Sequence, residues 1–226
     1  MTEPLIRSER RVIEVSHPIR HGMVTYPGLP GPTISTFIDR EESRRRLQGG
    51  ASFHIGRIDL VGNTGTYLDT PFHFYSDGPD TAAADITQMF DRRCLVVDVT
   101  GAGGVGPELL PPAHVLTGTA VLFRTGRSSL FGRPEYVHGS PYLTEAVVEA
   151  LVDARPALVG IDAINVDDIE DLSRPAHRLL LGAGIFIVEH LTRLHLVPER
   201  GGRFTALPPP VVGAGTMPIR ALVAVP

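Results

Sequence analysis

Apolar residues in this chain fall into short unbroken runs separated by turn-rich stretches, with few helical periods between them. Residues 94–99, 120–124, 157–162 and 185–189 are largely apolar, the pattern of strands buried on both faces. Residues 12–15 give a first strand, ended by His17-Pro18; residues 52–61 read as another, and residues 221–225 close the chain as a strand. The clearest helix covers residues 144–153. Thr144 suits its N-cap, and Ala146, Val147, Ala150 and Leu151 recur at helical spacing. A second helix is predicted over residues 173–181, capped by Ser173, with Pro175 in its first turn and Gly182 and Gly184 stopping it. Residues 26–32 hold three prolines and two glycines and must be loop. Seven or more strands with two or three helices predict an α/β fold on a mixed sheet. No repeat, linker or low-complexity tract divides the chain, so residues 1–226 are expected to form a single domain.

Composition narrows the function classes. A hydrophobic fraction of 42% with 20% charged residues fits an ordinary globular protein. The formal net charge of −4 offers no basic footprint for nucleic acid and no polybasic membrane patch. No stretch of 18 apolar residues exists to span a membrane. Met1-Thr2-Glu3-Pro4-Leu5-Ile6-Arg7 lacks the basic-then-apolar layout of an export signal, and the single cysteine, Cys94, permits no internal disulfide. A cytoplasmic protein acting on a small molecule is expected, with Cys94 a buried small side chain. All 21 basic residues are arginine, so lysine Schiff-base, lysine general-base and phosphate-loop lysine chemistry are excluded.

The densest polar constellation is Asn63-Thr64-Gly65-Thr66-Tyr67-Leu68-Asp69-Thr70-Pro71-Phe72-His73. In extended chain, Asn63, Gly65, Tyr67, Asp69, Pro71 and His73 share one face, and Gly65 leaves a spot where a ligand could approach the backbone. Further on, His177 lies in the second predicted helix and Glu189 ends an apolar run. A carboxylate there must meet a cation, a metal or water, because burying it unpaired is costly. Asp69, His177 and Glu189 together offer a three-ligand site for a divalent cation, and His73 either a fourth ligand or a general acid/base. His190 and His195 read as structural residues of a surface turn or helix. Residues 40–50, with Arg44-Arg45-Arg46, read as a solvated charged helix.

Residues 63–73 resemble the HxGTHxDxPxH motif of the metal-dependent cyclase family, which includes bacterial kynurenine formamidase (arylformamidase) and isatin hydrolase. The similarity extends nearly end to end: Glu14-Val15-Ser16-His17-Pro18-Ile19, Leu122-Phe123-Arg124-Thr125-Gly126, Val159-Gly160-Ile161-Asp162, the helix and strand bearing His177 and Glu189, and the closing Gly213-Ala214-Gly215-Thr216-Met217-Pro218-Ile219-Arg220. The resemblance implies a swivelling β/β/α fold, a homodimer or homotetramer, and hydrolysis of an amide or cyclic amide, with N-formylkynurenine the default substrate. It assigns metal binding to Asp69, His177 and Glu189 and the catalytic acid/base to His73.

The departures reshape that expectation. The motif's first two histidines, ligands in the family, are here Asn63 and Tyr67. An amide oxygen is a weak neutral ligand, and a phenol binds metal poorly unless deprotonated. His54 lies about 30 Å away along an extended chain, on the opposite face, and replaces neither. One divalent ion, zinc or manganese, is therefore expected in place of two. Tyr67 is then free to donate to the developing oxyanion, and Asn63 to orient substrate. The alternative is a metal-free lyase or cyclase, or a small-molecule-binding member of the family without hydrolytic activity.

Overall fold

The computed structural model describes residues 11–226, so the segment read above for an export signal lies outside the described residues. The strands are β1 (Arg11–Glu14), β2 (Thr33–Ile38), β3 (Ile55–Asp59), β4 (Tyr67–Asp69), β5 (Arg92–Asp98), β6 (Gly104–Val105) and β7 (Ala120–Arg124). They continue through β8 (Tyr142–Leu143), β9 (Leu158–Ile161), β10 (Phe186–Glu189), β11 (Arg203–Thr205), β12 (Thr216–Pro218) and β13 (Leu222–Val225). The α-helices are α1 (Arg40–Arg46), α2 (Ala113–Leu116), α3 (Glu145–Ala154) and α4 (Pro175–Gly182).

The four apolar runs become β5, β7, β9 and β10, which lie side by side and parallel. They form the centre of a nine-stranded sheet ordered β1-β13-β11-β5-β7-β9-β10-β4-β12, whose other pairings are antiparallel. This is a mixed sheet, as the patterning implied. Residues alternate between two cores: Leu95, Val97, Val121, Phe123 and Val159 pack with α3 and α4, while Cys94, Val96, Leu122 and Leu158 pack with Phe204, Ile219 and Val223. Burial on both faces explains why these strands lack a polar alternation. Cys94 is buried, and burial pushes its thiol up to about 11, so it serves as packing.

Thr144 caps α3, its hydroxyl accepting from the Val147 N–H, as the sequence indicated. The start of α4 differs from expectation. Its N-cap is Arg174, at φ +48°, rather than Ser173, whose hydroxyl and N–H both bond Asp171. Ala176, His177, Leu180 and Leu181 are the buried face of α4, so helical periodicity itself turns His177 inward.

Two further expectations change. The run over 52–61 shortens to β3, which pairs only with β2, and nearly every residue of this two-stranded sheet is exposed. His190 is fully buried rather than at the surface, its Nδ1 2.9 Å from the Tyr136 hydroxyl; His195 lies exposed in a short 3₁₀ turn. Helix α1 is the solvated charged helix anticipated, with Glu42 paired to Arg46 and Glu41 to Arg45.

Candidate metal and active site

The polar segment is extended over β4 alone; Pro71 then starts a 3₁₀ turn, Pro71–His73, that swings His73 back toward Asp69. Gly65 does not face a ligand. At φ +68° it packs beside Ile19, and its N–H donates to the Thr25 hydroxyl. Gly215 is the glycine that shapes this region, since a Cβ there would lie 2.5 Å from the His73 backbone nitrogen. Its bareness lets the approach to β12 run against the turn that carries His73, and its carbonyl accepts from both the N–H and the hydroxyl of Thr70.

Strand β4 sits between β10 and β12, and this register assembles the site. Tyr67 lies opposite Glu189 and Thr216 opposite Asp69. The Thr216 hydroxyl donates to Asp69 Oδ1. The Tyr67 hydroxyl donates to Glu189 Oε2 at 2.6 Å. Glu189 Oε1 accepts the Val166 N–H at 2.7 Å. Tyr67 is buried, and burial followed by the charges of Glu189 and Asp69 raises its pKa well above the usual value. Its one proton is directed at Glu189, not at open space where an oxyanion would form.

His177 reaches the same point from α4. Its Nδ1 lies 2.6 Å from Asp167 Oδ2, and Asp167 also accepts the N–H groups of Ala176 and His177. With Nδ1–H directed at Asp167, Nε2 faces the carboxylates: 3.7 Å from Asp69 Oδ2 and 3.7 Å from Glu189 Oε1. Those separations exceed hydrogen-bond length. They are close to the spacing of about 3.3–3.6 Å between neighbouring ligands on a tetrahedral ion with bonds of about 2.0–2.2 Å. Asp69 Oδ2 is buried and has no hydrogen-bond partner among the described residues. Ligand atoms of Asp69, His177 and Glu189 all lie within 4.8 Å of one another. This donor set fits a divalent cation.

The electrostatics agree. Burial opposes charge on His177, but Glu189, Asp167 and Asp69 outweigh it and raise its pKa to about 10. Burial raises Glu189, against the pull of His177. Two buried carboxylates thus demand positive charge between them, from a proton on His177 or from a metal ion. His73 stands apart, Nε2 4.0 Å from Asp69 Oδ1 and 31% exposed. Burial lowers its pKa, assisted by His177 and opposed by Asp69, so the imidazole is neutral near pH 7.

Tyr67, His73, His177 and Glu189 line one wall of a cavity of about 440 Å³, open to solvent, whose other walls include Tyr26, Leu29, Asn63, Phe74, Asn165 and Arg174; Asp69 itself is buried. The site therefore lies at the C-terminal ends of β9 and β10, where loops following parallel strands converge. The sequence-nominated residues Asn63, Tyr67, Asp69, His73, His177 and Glu189 all come together here, whereas His54 remains on the exposed β3 side, bonded to Thr36. Sequence reasoning missed Asp167, Thr216 and the Val166 N–H. The only available signal was the acid-rich stretch of residues 162–171 directly after a buried strand.

The comparisons with known proteins agree with this architecture. The family model described as putative cyclase matches residues 13–168. Kynurenine formamidase of Bacillus cereus is 28% identical over 211 residues, covering 93% of this chain and 96% of that protein. The Bacillus mycoides kynurenine formamidase is 29% identical with the same coverage. A solved structure described as a potential metal-dependent hydrolase with cyclase activity superposes with a TM-score of 0.78 at 27% identity, covering 96% of this chain and 98% of the other. Isatin hydrolase A from Ralstonia solanacearum shares the fold at a TM-score of 0.82 and 21% identity, with 97% and 94% covered. Matched over most of its length by the family model, the chain belongs to the cyclase family.

Proposed function

We propose that this protein is a metal-dependent hydrolase of an amide bond, arylformamidase-like, acting on N-formylkynurenine or a related formamide or cyclic amide. The observation that carries the proposal is the buried Asp69–His177–Glu189 group with its unpartnered Asp69 oxygen, set beside a neutral His73 in an open cavity. One zinc or manganese ion held by those three residues would supply the electrophile that activates an amide carbonyl.

The chain's own groups do the rest. Asp167 holds the His177 ring in the tautomer that leaves Nε2 free. Tyr67 and the Val166 N–H fix both oxygens of Glu189. His73 accepts a proton from the attacking water and returns it to the departing nitrogen, so that a formamide and water give formate and an amine. Asn63 borders the cavity, where its amide orients the substrate. Because the Tyr67 proton is directed at Glu189, Tyr67 supports that carboxylate where the motif residue it replaces would supply a ligand.

The single-ion assignment is supported by the Tyr67–Glu189 hydrogen bond, which satisfies Glu189 Oε2 without a second cation. We assign the whole chain to one domain and its working form to a homodimer or homotetramer. Exposed Ile34, Phe37, Ile55 and Ile58 on the β2–β3 sheet support association. The test is turnover of N-formylkynurenine and of simple formamides and lactams before and after chelation. Activity abolished by chelator and restored by zinc or manganese is expected; activity indifferent to chelator would move the assignment to a metal-free lyase or cyclase.

A further inference from the structure

Among the described residues, Arg174 is the one arginine lining the cavity, and no ion pair there matches its charge. It is held in the left-handed region, φ +48°, at the N-cap of α4. From there its guanidinium donates to backbone carbonyls of Asp168 (3.1 Å) and Ile169 (3.3 Å) and to the Tyr26 hydroxyl (3.2 Å). Those three acceptors are uncharged, one facing Nη1 and two facing Nη2. Two of the five N–H groups, on Nε and Nη1, have no acceptor among the described residues.

The nearby carboxylates have other partners. Asp167 holds His177, Asp168 accepts the Glu170 N–H, and Asp171 accepts the N–H and hydroxyl of Ser173. Asp171 is fully exposed and senses the guanidinium only as a minor influence beside Ser173. No ion pair to Arg174 forms among the described residues. The cavity thus has a cation-binding end at Asp69, His177 and Glu189, an apolar wall at Phe74 and Leu29, and a guanidinium beside Tyr26. A guanidinium held in place by uncharged acceptors, with N–H groups on Nε and Nη1 to spare for single charge-assisted bonds, suits an anionic group better than a neutral one.

We propose that Arg174 determines specificity by pairing with a carboxylate on the part of the substrate remote from the scissile bond, so that the cavity selects acidic aryl amides over neutral ones. The proposal rests on the amide-hydrolase assignment above, and its test separates the two. Two readouts are taken on the full-length, metal-loaded protein: kcat/KM for 3-formamidobenzoate against formanilide, and calorimetric Kd for 3-aminobenzoate against aniline. The native protein is expected to favour the acid in each pair by about tenfold to a hundredfold, as a charge-assisted hydrogen bond confers. Arg174→Met should bring both ratios close to one, and Arg174→Lys, which keeps a positive charge, should retain part of each. If Arg174→Met does not fold, the native ratios and the lysine variant decide.

No preference in the native protein overturns the proposal, as does a folded methionine variant that keeps it. An acid preference that survives Arg174→Met but vanishes with chelator places the carboxylate on the metal and overturns it too. Binding selectivity that depends on Arg174, without hydrolysis of any amide, would sustain the anion site and reject the hydrolase assignment. Hydrolysis without acid preference would do the reverse.

Discussion

His73 and Asp167 flank the same cluster and have separable duties. His73 approaches Asp69 only to 4.0 Å and keeps a neutral ring, whereas Asp167 touches His177 directly. His73→Ala should lower turnover by about a hundredfold or more with metal content unchanged. Loss of metal in that variant, read by elemental analysis, would make His73 a ligand. Asp167→Asn keeps the shape but replaces the carboxylate that orients His177, so metal affinity should fall by about tenfold to a hundredfold. Competition against a chromophoric chelator measures it, and an unchanged affinity contradicts the role. At this scale the sequence was informative where residue type alone signals chemistry: a carboxylate ending an apolar strand, and a histidine on the buried face of a helix. Asp167 was illegible because it sits ten residues before His177 in a loop, where no periodicity applies, and only the fold brings it under the ring.

Strand β4 carries the assembly of the site, although it is only three residues long. Its neighbours β10 and β12 set Glu189 opposite Tyr67 and Thr216 opposite Asp69, and the site follows from that register. Reading residues 63–73 as one extended segment put Asn63, Tyr67, Asp69 and His73 on a shared face. They do converge, but Pro71 and the 3₁₀ turn bring His73 round, not alternation. Likewise Ser173 satisfies the sequence rule for a helix cap, yet Asp171 takes its hydroxyl and Asp167 takes the first N–H groups of α4. Local preference yields there to a carboxylate that also holds the His177 ring. If Tyr67 and Asn63 are what exclude a second ion, Asn63→His with Tyr67→His should raise the bound metal from one to two per chain. A double variant still holding one would show that the surrounding elements, not those two side chains, set the stoichiometry.

At the scale of the whole molecule, two histidines among the described residues resist protonation, buried His190 and half-buried His17, and both contribute sensitivity to acid, which the raised Glu189 opposes. Burial, assisted by Arg193 and Arg20, lowers His17 from 6.5 to about 4; burial, assisted by His17, lowers His190 from 6.5 to about 3. An unfolded chain takes up these protons near pH 6.5 and the folded chain resists them, so stability present above pH 6.5 is lost as pH falls toward 4. Urea midpoints between pH 7 and 4.5 test this by difference: His190→Gln should lose less stability on acidification than the unaltered protein, and an identical pH dependence would assign the acid sensitivity elsewhere. The buried centre of the sheet was legible because strands covered on both faces write continuous apolar runs. The order of its edges was not, since β1, β13 and β11 join β5 through contacts between distant parts of the chain. The most direct test of a one-ion hydrolase is the metal content of purified protein, per chain, by elemental analysis before and after incubation with excess zinc. About one zinc or manganese per chain, removed by chelator together with amide hydrolysis, is the expected result. No bound metal under either condition, or two ions per chain in the unaltered protein, would contradict it.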